Sequence, residues 1–350
     1  MDDQYSRRLK SIEAEIDRWL PESPGAAWQA EVFPGLSADI GERLLGALSR
    51  PGRDLVSRGG KRWRPLLMTL VCEARGGGDA ALPLAPLVEL SHTASLIHDD
   101  IEDGSDRRRG KPSAHIAHGL DAALNSGSFL YFLASACIDG WASAQDAPAQ
   151  SAKAYALWAG FMRKLHLGQA MDIHWHREVE LVPSVDEYLA MCALKTGCLA
   201  RFAAELGALA AGALERDARE LGEAAQRLGL GFQILDDVKN VSSGVEGKKR
   251  GDDIAEGKKS LPILLFLDEF PARSDMVFRC FRQARAQGPD SPAADELAGA
   301  LRDSGALEKA RAHGRRLVCE ARAVFEAFDR AAPDFRPPGL LAALVDLLSA

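Results

Sequence analysis

Residues 91–115 read SHTASLIHDDIEDGSDRRRGKPSAH, and the interpretation of the whole chain starts from this stretch. An apolar run with helical spacing ends in a cluster of carboxylates, and three arginines follow before Gly110 and Pro112 break the pattern. On a helix, Asp99 and Asp103 lie four positions apart and share one face. Such carboxylates repel each other unless a cation lies between them, and Mg2+ commonly joins one or two carboxylates to a substrate phosphate. The pattern therefore predicts a magnesium site beside arginines that bind diphosphate oxygens.

A second stretch, residues 231–240 with the sequence GFQILDDVKN, repeats this arrangement. An apolar helical run again ends in paired aspartates, Asp236 and Asp237, and a basic segment that contains Lys248 and Lys258 follows. One charged helix end is commonly a solvated surface. Two copies of the same arrangement indicate two walls of one cavity that holds metal ions and a polyphosphate between them.

Composition excludes several classes of protein. The chain has 350 residues, 47% of them hydrophobic, which is enough for a sizeable core. A net charge of −7 gives no basic footprint for nucleic acid. No run reaches the roughly 18 apolar residues of a membrane span, and residues 1–20 lack the apolar core of a signal peptide. We therefore expect a cytoplasmic protein without a membrane span. The six scattered cysteines form no CxxC pair and are expected to be buried thiols.

Helical spacing of about 3.6 recurs along the chain, and strand-like alternation is absent. The predicted fold class is therefore all-α, a helical bundle whose inward-facing carboxylates build a metal site. We expect a single domain over residues 1–350, with peripheral helices in residues 1–50. The second of these helices, which starts near Ile40, is expected to stop at Pro51 and Gly52.

The chain resembles the trans-isoprenyl diphosphate (polyprenyl) synthases. Their DDxxD motif followed by RRGxP corresponds to residues 99–103 and 108–112, and their FQxxDD motif corresponds to residues 232–237. The resemblance runs from about residue 59 to residue 262 and includes six motifs in the expected order. It implies the isoprenoid synthase fold, a bundle with a deep central cavity. It also implies a homodimer that condenses isopentenyl diphosphate with an allylic diphosphate, using three Mg2+ ions per site.

The resemblance also implies roles for individual side chains. The metal ligands are aspartates from both motifs: Asp99, Asp100, Asp103, Asp236 and Asp237. The contacts to isopentenyl diphosphate are Lys61, Arg64, His92 and Arg109. The contacts to the allylic diphosphate are Arg108, Lys195, Thr196, Gln233, Lys248 and Lys258. The residues implied to be catalytic are Asp99, Asp103, Asp236 and Lys195. Gln169 and Asp172, from a GQxxD segment, are expected to position the substrate side chains and waters.

Product length is expected from the residues before Asp99 on the same helix. The side chains on the face where the prenyl tail would run are small: Ser91, Ala94 and Ser95. No aromatic side chain blocks the tail there, so a twenty-carbon product is expected, with some twenty-five-carbon material. Tyr131 or Phe132 from a neighbouring helix is expected to form the floor.

One position departs from the common family pattern. Asn240 stands where many members have the last aspartate of a second DDxxD motif. Eukaryotic-type geranylgeranyl diphosphate synthases commonly have asparagine there, so Asn240 is interpreted as a subgroup marker. The alternatives are a synthase for products of twenty-five carbons or more and a non-catalytic regulatory subunit. A related terpene cyclase is disfavoured, because it would not need the isopentenyl diphosphate motif at residues 60–65.

Overall fold

The structure, a computed structural model, describes residues 3–145, 148–243, 250–332 and 339–349. These ranges are almost entirely helical, which confirms the predicted all-α class. The α-helices are α1 Asp3–Trp19, α2 Ala26–Val32, α3 Glu42–Ser57, α4 Trp63–Ala74, α5 Ala85–Glu102, α6 Ala114–His118, α7 Leu120–Gln145, α8 Pro148–Arg177, α9 Val185–Cys192, α10 Cys198–Ala210, α11 Glu215–Ser242, α12 Asp252–Glu256, α13 Leu261–Glu269, α14 Ser274–Gln287, α15 Pro292–Asp303, α16 Ala306–Arg330 and α17 Leu340–Ser349.

Short elements connect some of these helices. Two 3-10 helices cover Gly78–Leu84 and Pro271–Arg273, and a π-helix, Ala193–Gly197, joins α9 to α10. Two antiparallel strands of two residues each, β1 Arg107–Arg108 and β2 Lys111–Pro112, form a small hairpin. Strands this short show no alternating pattern, so the sequence did not predict them.

The chain divides into two compact units. The first comprises Met1–Gly160, Phe202–Gly222 and Phe328–Leu341. The second comprises Phe161–Arg201, Glu223–Ala327 and Ala342–Ala350.

Helix α5 forms the centre of the first unit and packs against α1, α3, α4 and α7. Leu87, Leu90, Ala94 and Ile97 are completely buried, and their spacing of three to four residues defines the core face of the helix. Among the described residues, one stretch, Gly78–Glu102, is long and apolar enough to cross a membrane. Because 67% of its most apolar window is buried in the fold, we interpret it as a core helix.

Helix α3 continues past the predicted stop at Pro51. That expectation was wrong: α3 runs on to Ser57, with Pro51 buried inside it. The neighbouring residue shows what helps to hold this part of the helix. The Gly52 amide donates a hydrogen bond to the Ser126 hydroxyl of α7 at 3.2 Å, and Gly52 lies against Leu130. Tertiary packing thus outweighs the local helix-breaking tendency of proline and glycine.

The second unit is built around a cluster of buried apolar side chains from α9, α11, α13, α14 and α15. Helix α11 contributes Ile234, Val238 and Val241 to this cluster, one face at spacings of four and three. Gln233 and Asp236 lie on the adjoining part of the helix and are only partly buried. The second aspartate motif is thereby presented at the edge of an apolar core.

Candidate active site

The first aspartate motif occupies the last turn of α5, and the β1–β2 hairpin brings Arg108 to it. Arg108 Nε donates to Asp100 Oδ1 at 2.8 Å, and its Nη2 donates to the same oxygen at 2.5 Å and to Asp99 Oδ2 at 3.3 Å. Asp100 is completely buried, and its second oxygen, Oδ2, has no hydrogen-bond partner. Burial raises the pKa of Asp100, and the charge of Arg108 opposes that shift. Asp100 therefore holds Arg108, whereas Asp99 and Asp103 remain partly exposed.

The hairpin depends on two residues with positive φ. Arg109 and Gly110 form its turn, with φ of 53° and 75°. Positive φ at both central residues is the requirement of the tight two-residue turn that matches strand twist. Arg108 is the last residue of β1 and Arg109 is the first residue of the turn, and their side chains contact different partners.

Arg109 lies against the glycine loop that precedes α4. Its Nη1 donates to the carbonyl oxygens of Gly59 and, at 3.3 Å, Leu55. A Cβ on Gly60, where φ is +144°, would lie 2.9 Å from the Arg109 guanidinium. Glycine at position 60 therefore allows both the backbone conformation and the close approach of the arginine.

Arg64 and His92 meet beside this loop, with Arg64 Nη1 3.4 Å from His92 Nε2. Burial lowers the pKa of His92 well below its usual range, and the charges of Arg64 and Arg109 lower it further. His92 is therefore neutral near pH 7 and accepts from the arginine. The structure brings together Arg64, His92 and Arg109, with Lys61 exposed in the same loop. This concentration of positive charge suits an anion.

In the second unit, Lys195 forms an ion pair with Asp172. The Lys195 Nζ to Asp172 Oδ2 distance is 2.6 Å, and the lysine lies in the π-helix. A Cβ on Gly168 of α8 would lie 2.5 Å from the Lys195 backbone nitrogen. Only glycine allows α8 and the π-helix to approach this closely, and that approach places Lys195 within reach of Asp172 in α8.

A chain of hydrogen bonds continues from the π-helix to the second aspartate motif. Thr196 Oγ1 donates to Gln233 Oε1 at 2.9 Å, and Gln233 Nε2 donates to Asp237 Oδ1 at 2.8 Å. The hydroxyl of buried Tyr188 donates to Asp237 Oδ2 at 2.6 Å. Burial and the charge of Asp253 raise the pKa of Asp237, and the two donors oppose that shift. Both Asp237 oxygens thus have protein donors.

These groups border a small polar cavity of 70 Å³ in the second unit. Its charged and polar lining includes Asp172, Lys195, Thr196, Gln233, Asp236, Asp237, Asp253, Lys258 and Lys259. Lys258 forms an ion pair with Glu256 at 2.7 Å. Lys259 is buried and donates to the carbonyl oxygens of Trp175 and Glu178 at the end of α8. The predicted contact Lys248 lies outside the described residues.

Comparison with known proteins identifies the family. A family model described as polyprenyl synthetase matches residues 46–294. The chain belongs to this family. It is 34% identical to a geranylfarnesyl diphosphate synthase of Aeropyrum pernix over 80% of this chain and 86% of that relative. It is 36% identical to a geranylgeranyl diphosphate synthase of Methanosarcina mazei over 75% and 74%. An octaprenyl diphosphate synthase of Escherichia coli is 31% identical over 81% and 85%.

Solved structures agree with this assignment. A Caulobacter crescentus polyprenyl synthase complexed with calcium and isoprenyl diphosphate has a TM-score of 0.75 at 27% identity, covering 99% of this chain and 95% of that one. A Corynebacterium glutamicum geranylgeranyl pyrophosphate synthase complexed with isoprenyl diphosphate and magnesium has a TM-score of 0.79 at 24% identity, covering 98% and 97%. The protein is a trans-prenyltransferase of a metal-dependent family that acts on isoprenyl diphosphates.

In this prenyltransferase the residues predicted to set product length differ in accessibility. Ser91 and Ala94 are completely buried, and Ser95 is partly exposed. His98 stacks on Tyr131 of α7 with the ring centroids 5.4 Å apart. Phe132 is 69% exposed, and Tyr131 is the expected floor residue that stacks against α5.

Asn240 of the polyprenyl synthetase is buried, with 1% of its surface exposed. Its Oδ1 accepts a hydrogen bond from the Asp253 backbone amide at 3.2 Å, near the start of α12. Asn240 thus helps to hold the start of α12.

Several residues of the prenyltransferase site were missed from sequence. They are Arg62, Tyr188, Gly168 and Lys259. Arg62 and Lys259 stood inside recognised motifs but were given no role, because a buried and an exposed basic residue look alike in sequence. Tyr188 lies 49 positions before its partner, and no spacing rule connects the two.

Proposed function

We propose that this protein condenses isopentenyl diphosphate with an allylic diphosphate to make chiefly geranylgeranyl diphosphate, a twenty-carbon product. The observation that carries the chain length is the partly exposed Ser95, one helical turn before Asp99. A small side chain at this position leaves room for the tail, and the His98–Tyr131 stack supports a limit on its growth. The relatives include a geranylfarnesyl and an octaprenyl diphosphate synthase, so product analysis is the test of the chain length.

The proposed roles of the side chains divide into contacts to isopentenyl diphosphate, contacts to the allylic diphosphate and metal ligands. Isopentenyl diphosphate binds to Lys61, Arg64, His92 and Arg109. The allylic diphosphate binds to Arg108, Lys195, Thr196, Gln233, Lys248 and Lys258. Three Mg2+ ions are proposed, with ligands chosen from Asp99, Asp100, Asp103, Asp236 and Asp237. Among these, partial exposure favours Asp99, Asp103 and Asp236, because Asp100 and Asp237 are buried and bonded to protein donors.

The donor chemistry fits magnesium. Carboxylate oxygens are the hard ligands that Mg2+ takes, and it usually binds one or two of them together with substrate phosphates. Among the described residues no three His, Cys, Asp or Glu side chains are gathered around one point. When bound, Mg2+ neutralises the charge that develops on the leaving diphosphate.

The protein's own residues then stabilise the charges of the reaction. The carbon–oxygen bond of the allylic diphosphate breaks, and Arg108 and Lys195 stabilise the negative charge on the departing diphosphate. The double bond of isopentenyl diphosphate attacks the allylic carbocation, and a proton is then lost to the departing diphosphate. Neutral His92 accepts a hydrogen bond from Arg64 and adds no further positive charge.

We also propose that residues 1–350 act as one cytoplasmic synthase domain and that the protein is a homodimer. Leu120, Leu124 and Phe132 of α7 are between 47% and 69% exposed. They are spaced four and eight residues apart, so they share one helix face. Light scattering coupled to gel filtration tests the dimer, and Leu124→Glu should convert it to monomer.

Product analysis tests the main proposal. The purified protein is incubated with labelled isopentenyl diphosphate and, separately, with ten-, fifteen- or twenty-carbon allylic primers. Elongation to twenty carbons that stops in EDTA and recovers with Mg2+ supports the proposal. A main product of twenty-five carbons or more overturns the chain length, and absence of any product indicates a regulatory subunit. Ser95→Phe should shorten the product to fifteen carbons. Ala94→Phe is a poorer test, because a ring at that buried position also disturbs packing.

A further inference from the structure

Arg62 is buried in the middle of the basic loop. Only 2% of its side chain is exposed, and its backbone is left-handed, with φ of 46° and ψ of 27°. A residue with a Cβ is strained in this conformation, and the surroundings must offset that strain. The left-handed backbone of Arg62 is therefore energetically unfavourable, and we expect contacts of its side chain to offset that strain.

The support comes from three acceptors on three helices. Arg62 Nε donates to Glu13 of α1 at 2.8 Å, Nη1 donates to Glu89 of α5 at 2.7 Å, and Nη2 donates to the Val56 carbonyl in the last turn of α3 at 2.7 Å. Each guanidinium nitrogen thus has an acceptor, as a buried cation requires. Since every nitrogen is occupied by protein, Arg62 is not arranged to bind substrate.

The location of Arg62 connects this support to the anion site. Arg62 is the residue immediately before α4, between Lys61 and the stacked pair of Trp63 and Arg64, whose guanidinium carbon lies 4.4 Å from the indole centroid. The φ and ψ angles of Arg62 therefore set the direction of both Lys61 and Arg64. The Val56 carbonyl also accepts from the Gly59 amide at 3.1 Å, which fixes the beginning of the loop.

We propose that Arg62 is a positioning residue for the isopentenyl diphosphate site and that Glu13 of α1 completes it. This inference rests on the proposed assignment of Lys61 and Arg64 to that substrate. It makes the N-terminal helix part of the substrate site. Glu13 is 40% exposed, so its carboxylate can be altered without opening the core.

Glu13→Gln tests the proposal because it removes the charge and keeps the size of the side chain. We expect the KM for isopentenyl diphosphate to rise about three- to tenfold, as for loss of one partly exposed charge-assisted contact. The kcat and the KM for the allylic substrate should stay within about twofold, since the second substrate is bound elsewhere. Equal changes in both KM values, or none, overturn the proposal.

Glu73→Gln is the matched control. Glu73 of α4 accepts two hydrogen bonds from Arg8 of α1, at 2.5 and 2.7 Å. It therefore stabilises α1, the helix that carries Glu13, without hydrogen bonding to Arg62. We expect a lower melting temperature and an unchanged KM for isopentenyl diphosphate. A raised KM here would mean that general loosening of α1 is responsible, and would overturn the specific role of Arg62. In an Arg62→Lys background, Glu13→Gln should have no further effect on this KM, and an undiminished effect would likewise contradict the proposal.

Hydrogen–deuterium exchange of residues 56–66 in the unliganded protein provides a measurement that needs no substrate. Faster exchange in Glu13→Gln, together with the raised KM, supports the proposal. Unchanged exchange, or faster exchange with an unchanged KM, overturns it. If exchange is faster and the wild-type protein forms no prenyl product, the function proposed above is what fails, while Arg62 still fixes the loop.

Discussion

Tyr188→Phe is the most informative single change in the second unit. It removes one oxygen atom, the hydroxyl that donates to Asp237 at 2.6 Å, and leaves the buried ring in place. Burial and the charge of Asp237 raise the pKa of Tyr188 well above its usual range, so the phenol is protonated and acts as the donor. After the change, one oxygen of buried Asp237 has lost its protein donor.

The structure allows the magnitude to be worked out. Leaving a buried acceptor without its donor costs about 1–3 kcal/mol, so the free energy of unfolding should fall by about 2 kcal/mol. Asp237 then holds Gln233, and through it Thr196, less firmly. Because Asp236 directly precedes Asp237 in α11, the position of the proposed metal ligand Asp236 is affected as well. Misplacement of a site by a fraction of an ångström lowers turnover, and we expect kcat to fall roughly 10- to 100-fold.

Urea unfolding followed by circular dichroism measures the first effect, and incorporation of labelled isopentenyl diphosphate measures the second. Tyr5→Phe is the control, because Tyr5 is also buried but donates to a neutral acceptor, the Leu340 carbonyl, at 2.8 Å. It should cost about 1 kcal/mol and leave kcat unchanged. A loss below about 0.5 kcal/mol for Tyr188→Phe, or equal kcat values for the two variants, would refute the role given to this hydrogen bond.

Three further changes have definite expected outcomes. Gly168→Ala should destabilise the protein by about 1–3 kcal/mol in urea unfolding, because its Cβ meets backbone, whereas Gly299→Ala, with open space around it, should not. Asp100→Asn should cost about 3 kcal/mol in the same measurement and raise the KM for the allylic substrate, since the partly buried Arg108 loses the charge of its main partner; an unchanged KM would argue against Arg108 as a ligand. Burial lowers the pKa of Lys259 to about 8, so the protein takes up a proton when it unfolds above that pH. The melting temperature of the wild type minus that of Lys259→Met should therefore rise between about pH 8 and 10.5, and a flat or falling difference would contradict this.

The sequence predicted the features that depend on local spacing. Helical periodicity predicted α5 and α11, and the paired aspartates fall at or near the ends of these helices as expected. The clustering of Arg64 with His92 followed from the family resemblance. The two helical predictions succeeded because each motif lies within one chain segment, where sequence order and spatial proximity coincide.

The sequence could not predict contacts that join distant segments. The burial of Arg62 depends on Glu13 and Glu89, 49 and 27 positions away, and nothing in the loop itself shows that its first arginine points inward. The continuation of α3 past Pro51 likewise depends on packing against α7. Product length is a similar case, since the accessibility of Ser91, Ala94 and Ser95 differs although all three are small.

The β1–β2 hairpin limits how this protein tolerates insertions and deletions. Arg108 reaches the carboxylates from the end of β1, and Arg109 reaches the glycine loop from the first position of the turn. A single-residue insertion or deletion in the hairpin would change the two-residue turn or shift the pairing of β1 with β2, and would turn at least one of the two arginines away from its partner. Substitutions at exposed positions such as Arg107 leave that order intact. Natural variation and engineering in residues 104–113 should therefore change residue identity far more readily than loop length.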